Sequence, residues 1–259
     1  MTKATGKATE STRGVKVVNA ERIVQAAVGI CDRDGIESLT TRGLAAELKI
    51  GTMTLYGYFL SKEEILDGVA DYVLGNFCLP VVTDATPAEV VRQIAEAWFE
   101  MMRQHPSVVH LLLSRVTTSR RSLKAAMEDV IGALRGAGFT DEGAVRAYAL
   151  IVTYTLGFAG YQSPRPWGDD RRDDVDELRR QRSHFNASLP LPEFANLVEL
   201  NELAADMAST EQFRFGLDCL IDGLVARAVP SRRGRGRSSL ARRAGTSAGD
   251  RSDGRQDRL

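Results

Sequence analysis

The chain has 259 residues, enough for one or two domains with a sizeable core. Its 34 Lys/Arg balance its 34 Asp/Glu, yet residues 1–66 hold 9 basic against 8 acidic side chains, 67–229 hold 16 against 23, and 230–259 hold 9 Arg against 3 Asp. A near-neutral front, an acidic body and a basic tail argue against a protein that coats nucleic acid through general basicity. No apolar run approaches the ~20 residues of a membrane span, and the opening MTKATGKATESTRG lacks the apolar core of a secretory signal. The expected location is therefore the cytoplasm, with no membrane partner. Cys31, Cys78 and Cys219 form no CxxC pair; each falls on an apolar helix face, so buried thiols in a reducing compartment are expected.

Residues 1–18 are small, polar and weakly basic, a flexible arm. Asn19 can cap a helix to about Asp34, with Ile23, Ala26, Ala27 and Ile30 at helical spacing and Gly35 as its stop. Thr40 or Thr41 caps a short helix over 42–48, with Leu44, Ala45 and Leu48 inward and Ala45 and Ala46 small enough for a close crossing. Ile50-Gly51 makes a turn, Thr52 caps a helix of two turns through Phe59, and Ser61 caps another to about Phe77, with Glu64 completing a capping box. After a pause at Pro80, Thr86-Pro87-Ala88-Glu89 starts a helix to about Gln104. Pro106 opens a short apolar helix. Ser119 opens another ending at Gly136-Ala137-Gly138, with Leu123, Met127, Val130, Ile131 and Leu134 inward.

Thr140 caps a helix over 141–161 that is apolar on most of its circumference, so it faces apolar surroundings on more than one side. Residues 165–182 hold six Arg and six acids, a solvated segment that is either a lid or a surface loop. Helices follow over 193–207 and 210–229, and the Arg-rich tail over 230–259 has almost nothing to bury and is expected to be disordered. The fold class is all-α.

Residues 39–62, LTTRGLAAELKIGTMTLYGYFLSK, combine what a helix-turn-helix needs: small residues at a crossing, a sharp turn, and short polar or aromatic residues on the outer face of the second helix. Thr52, Thr54, Tyr56 and Tyr58 offer hydroxyls to phosphates or base edges, Met53 an apolar contact, and Arg42 and Lys62 flank the helix as backbone contacts. A two-helix hairpin in any helical core could carry the same caps.

The stretch resembles the N-terminal domain of the tetracycline-repressor (TetR) family. Gly35-Ile36-Glu37, Leu39-Thr40-Thr41-Arg42, Leu44-Ala45-Ala46-Glu47-Leu48, Thr54-Leu55-Tyr56-Gly57-Tyr58-Phe59 and Ser61-Lys62-Glu63 carry the likeness, in register over about 19–73. The resemblance implies a DNA-binding domain over 19–66, with Thr41, Arg42, Thr52, Met53, Thr54, Tyr56, Gly57, Tyr58 and Lys62 at the DNA. Two positions depart from the pattern. Lys49 stands where the family usually has Gly at the helix C′ position, which costs on the order of 1 kcal/mol or adds a phosphate contact. Gly57 stands where a larger side chain is common, so fewer base contacts and a closer backbone approach are expected there.

The resemblance further implies a ligand-binding and dimerisation domain over 67–229, and the run from Phe213 to Leu224 is similar to the family's last helix. The dimer then forms through the helices over 141–161 and 210–229, whose apolar excess fits independently. A core of a single chain would use the same residues. Trp98, Met101, Met102, His105, His110, Tyr154, Phe158 and Tyr161 mix flexible apolar groups with polar tips, the make-up of a small-molecule pocket, though Met and aromatic residues at helical spacing also build ordinary cores. His105, His110 and His184 are isolated, with no HxxxH or carboxylate cluster, so no metal site is expected. No GxSxG, GxGxxG, P-loop or nucleophile–base pair stands out, so neither a cofactor nor catalysis is expected. The reading is a homodimeric, sequence-specific DNA-binding repressor of a palindromic operator, released by an apolar small molecule. A ligand-independent DNA-binding protein and an all-α small-molecule-binding enzyme are the alternatives.

Overall fold

The computed structural model describes residues 18–80, 84–115, 118–162 and 175–229. The expected arm over 1–18, apart from Val18, and the tail over 230–259 lie outside them. The described residues form helices joined by short turns, with no strand among them.

Local signals set most helix starts. The Asn19 side chain accepts from the Arg22 amide at 2.9 Å and opens α1, Ala20–Asp34. Gly35 closes it at φ 84°, a backbone that glycine adopts without penalty, and a single 3-10 turn over Ile36–Ser38 leads on. Thr40 caps α2, Thr41–Leu48, through the Gly43 amide. The third helix, α3, is shorter than expected: it spans Thr52–Tyr56, with Gly51 rather than Thr52 at the N-cap. Its hydrogen bonding still runs on, because the Tyr58 and Phe59 amides both donate to the Leu55 carbonyl.

Ser61 caps α4, Lys62–Gly75, which ends two residues before the expected Phe77. Glu64 reaches one residue further back than a capping box requires, accepting from the Leu60 amide at 2.7 Å. Thr86 and Glu89 make the full reciprocal box at the start of α5, Pro87–Gln104. Then come α6, Pro106–Ser114, and α7, Arg120–Leu123. A π-helical turn over Lys124–Glu128 joins α7 to α8, Asp129–Gly136. The extra residue in that turn rotates the expected inward face: Val130 and Leu134 are buried, whereas Leu123 and Met127 are exposed.

The long α9, Asp141–Gln162, is followed by α10, Val175–Ala187, so the part of the expected loop from Val175 onward is helical; residues 163–174 lie outside the description. The single helix expected over 193–207 is two, α11, Leu191–Glu199, and α12, Asn201–Ala205, broken at Leu200. The last helix is α13, Thr210–Ala228.

Two packing regions meet along α4. On one side, α1 crosses α2 and α4, burying Ile23, Ala27, Leu39, Leu44, Leu55, Ile65 and Val69 completely or nearly so. On the other, α4 lies against α6 and α7. Thus the expected domain limit at 66/67 falls inside a continuous helix. In the body, α5 packs against α9 and α13. An aromatic stack fixes that layer: Phe99 and Phe213 lie 4.0 Å apart at 13°, with Tyr154 and Phe158 beside them. Gly216 makes room for this stack, since a Cβ there would collide with the Tyr154 hydroxyl. That hydroxyl donates to the Phe213 carbonyl. Of the three thiols only Cys31 is buried; Cys78 follows the end of α4 and Cys219 lies on the outer side of α13, both exposed, against expectation. No helix among the described residues is long and apolar enough to cross a membrane.

Candidate nucleic-acid interface

The α2–α3 unit is held from inside by two apolar anchors. Leu44 and Leu55 have no exposure at all, and Ala45 is buried at the crossing whereas Ala46 faces out. Everything else on α3 points away from the core. Met53 is 81% exposed, and Thr52, Thr54, Tyr56, Gly57 and Tyr58 are exposed beside it. On α2, Arg42 is exposed and Thr41 half-buried; Lys62, at the start of α4, is half-buried. Of the nine residues expected at the DNA, seven are therefore exposed and Thr41 and Lys62 half-buried.

Most of their polar groups are uncommitted. Among the described residues, the hydroxyls of Thr41, Thr52, Thr54 and Tyr56 have no hydrogen-bond partner, and Arg42, Lys49 and Lys62 have no ion-pair partner. Tyr58 differs: its hydroxyl donates to the Val18 carbonyl at 2.8 Å, so its phenol ties α3 to the approach of α1. Gly57 has ordinary helical angles, φ −70° and ψ −16°, so its backbone conformation does not require glycine.

Lys49 is left-handed, at φ 56° and ψ 43°. Its amide donates to Ala46 at 3.1 Å, and the Ile50 amide donates to Ala45 at 2.9 Å. This is the paired bonding of a Schellman stop, in which glycine is the favoured residue at that position. The turn into α3 thus forms with a lysine at its strained point, and the ammonium stands exposed beside the reading surface.

The reading head is strapped to the body by polar contacts. Asp32 of α1 receives the Ser107 hydroxyl at 2.6 Å and lies 2.7 Å from His105 Nδ1 at the α5–α6 junction. Arg115, just past α6, donates to Asp67 at 2.6 Å and to the Glu63 carbonyl at 3.2 Å, both on α4. Ser122 donates to Asp71, one helical turn further along α4, at 2.9 Å. Arg121 bonds the Gly75 carbonyl and the Asn76 side chain at its far end.

Of the eight residues expected around a ligand, Trp98 lines an open cleft of about 350 Å³ between α4, α5, α6, the α7–α8 path and α9. Met101 and Met102 are packed in the core. His105 is engaged with Asp32, and His110 is exposed. Tyr154 and Phe158 belong to the aromatic stack, and Tyr161 lies under the Arg182 guanidinium. Sequence reasoning missed Arg115, Ser122 and Tyr148, which also line the cleft. The available signal was faint: a lone arginine closing an apolar run, and two acids at i,i+4 on α4. A second groove, about 560 Å³, runs along the outer faces of α9 and α13 past Leu150, Cys219 and Gly223.

Comparison with known proteins agrees with this arrangement. Residues 23–69 match the family described as bacterial regulatory proteins, tetR family, and residues 79–228 match the tetracyclin repressor-like C-terminal domain. The HTH-type transcriptional repressor DrrR1 of Streptomyces coeruleorubidus is 31% identical over 229 residues, covering 86% of this chain and 83% of that protein. The Streptomyces coelicolor TetR-family protein ActR, solved in complex with actinorhodin, superposes with a TM-score of 0.69 at 30% identity, over 83% of this chain and 98% of that one. BioQ, solved with its double-stranded DNA operator, superposes with a TM-score of 0.50 at 25% identity, over 82% and 100% of the two chains. A helix-turn-helix head with an uncommitted outer face, an all-helical body behind it, and matches over both regions place this chain in the TetR family of transcriptional regulators.

Proposed function

We propose that the chain is a homodimeric repressor that reads a two-fold-symmetric operator through α2 and α3 and is released by a small molecule bound in the body. One observation carries the DNA reading: α3 spends only Leu55 on the fold and leaves Thr52, Met53, Thr54 and Tyr56 outward. Thr52, Thr54 and Tyr56 are assigned to base edges and phosphates, Met53 to a thymine methyl, and Gly57 to close backbone approach. Thr41, Arg42 and Lys62 are assigned to the DNA backbone, and Tyr58 contributes by orienting the helix. The head carries few cations, so one copy binds weakly; two copies spaced for half-sites about 34 Å apart are needed.

The second copy is assigned to the outer faces of α9 and α13. Gly157 and Gly223 stand exposed there with nothing within 4 Å of a notional Cβ. A mid-helix glycine costs roughly 0.5–1 kcal/mol against alanine, and packing within one chain gives neither residue a reason. Close approach of a partner's helices supplies one. Val145, Leu150 and Phe215 are also exposed on these two helices. The complexes of ActR with actinorhodin and of BioQ with DNA support the two binding functions by analogy. A gel shift with DNA from the chain's own promoter region tests the proposal: a retarded complex that resists non-specific competitor is expected, and its absence refutes it.

A further inference from the structure

The reading head approaches a polyanion while carrying a negative balance of its own. Residues 18–66 hold five cations, Arg22, Arg33, Arg42, Lys49 and Lys62, against seven Asp/Glu, a net of −2. Arg33 is moreover paired with Asp34 and Glu47. Attraction to DNA is set by the number of phosphates that cations neutralise, so this head is weakly drawn to a duplex by itself. Residues 1–17 reverse the sign: Lys3, Lys7, Arg13 and Lys16 stand against Glu10 alone, a net of +3. Most other residues of that stretch are Thr, Ser, Ala or Gly, whose short side chains leave little to hold the cations off a groove floor.

The structure fixes where these cations begin. Val18 is half-buried against the core of the head, and its carbonyl accepts the Tyr58 hydroxyl at 2.8 Å. Tyr58 lies two residues past the end of α3, so the chain enters the head next to the recognition helix. Arg13 is five residues before Val18, a reach of about 17 Å when extended. That matches half of the roughly 34 Å helical turn, the step from a major groove to the minor groove flanking it.

We propose that residues 1–17 are a second DNA-binding element. With α3 in the major groove, the chain leading away from Val18 crosses the phosphate ridge into the flanking minor groove, where Arg13 enters and Lys3, Lys7 and Lys16 meet phosphates. Arginine suits that groove because it is weakly hydrated and is attracted by the negative potential of narrow A·T-rich segments. Tyr58 is a positioning residue: by holding Val18 it fixes the root of the element relative to α3, so less chain must be ordered on binding. This rests on the DNA reading above and adds a second contact surface on each half-site's flank.

Anisotropy titrations of the full chain against its promoter fragment and against a random-sequence duplex, each over a salt series, test the proposal. Replacing Lys3, Lys7, Arg13 and Lys16 together by Gln should shallow the slope of log K against log salt by about 2–4 per protomer on both duplexes, and weaken promoter binding at least tenfold at ~0.15 M salt. Unchanged slopes would overturn it. Tyr58→Phe should weaken binding several-fold in the wild-type background and add nothing in the four-Gln background; an equal loss in both would overturn the tether. Hydroxyl-radical footprints should show the flanking minor groove protected by wild type and open with the four-Gln variant, and a flank left open by wild type would overturn the groove placement. A wild type that ignores promoter sequence, yet loses slope on the random duplex when the four cations go, removes the repressor reading and leaves this element standing.

Discussion

Replacing Lys49 by glycine separates what this residue does for the fold from what it does for DNA. At φ 56° and ψ 43°, its Cβ crowds the following carbonyl, a conformation that costs roughly 1–2 kcal/mol for a non-glycine residue. Glycine removes that strain but gains freedom in the unfolded chain worth about 0.5–1 kcal/mol. The net gain for Lys49→Gly is about 0.5–1 kcal/mol, because the two amide bonds to Ala45 and Ala46 do not involve the side chain. For a domain of this size, that raises the melting temperature by about 1–4 °C. The same change deletes an exposed cation beside the reading surface. If the ammonium neutralises one phosphate per protomer, the slope of log K against log salt shallows by about 0.9 per protomer. Thermal melts and gel shifts at several salt concentrations measure both. A less stable variant would refute the left-handed turn, and an unchanged salt slope would refute the phosphate contact.

Gly223→Arg should leave the monomer folded, since its Cβ enters open space, but should drive the dimer apart, as sedimentation equilibrium would report; a stable dimer would show that α13 is not the interface. Asp32→Ala leaves His105 and the buried Ser107 hydroxyl without their partner and should cost about 1–3 kcal/mol in urea unfolding, whereas Asp32→Asn, which keeps an acceptor for Ser107, should cost less. Burial pushes the Cys31 thiol up from an ordinary 9.0 to about 11, with Asp32 adding to the shift and Lys62 opposing it. A raised thiol pKa lets the unfolded chain release the proton first. Its contribution to stability is therefore intact below pH 9 and declines between 9 and about 11. Cys31→Ala should flatten part of that alkaline loss; an identical pH profile for variant and wild type would refute it.

The starts of the helices were legible because a cap and its target amide lie within three residues: Asn19 with Arg22, Thr40 with Gly43, Ser61 with Glu64, Thr86 with Glu89. The all-helical class followed from the same short-range periodicity, and the reading face followed because helical spacing places Leu55 inward and its neighbours outward. Endings were less legible: α3 stops at Tyr56 while its hydrogen bonds trail to Phe59, and the 193–207 segment breaks at Leu200. The π turn was invisible, since one inserted residue leaves composition unchanged yet turns Leu123 and Met127 out of the core. Chemistry that depends on distant partners had no local signature. His105 resembled a pocket residue until Asp32, 73 positions away, was found against it. Arg115 carries no local sign that Asp67, 48 positions away, accepts its bond. Hydrogen bonds between helices depend on how those helices cross, and the crossing is set by the whole core. Spacing and capping within a few residues set the helices, their starts and the outward face of α3; the crossing of distant helices sets which side chains strap that face to the body and which line the cleft behind it.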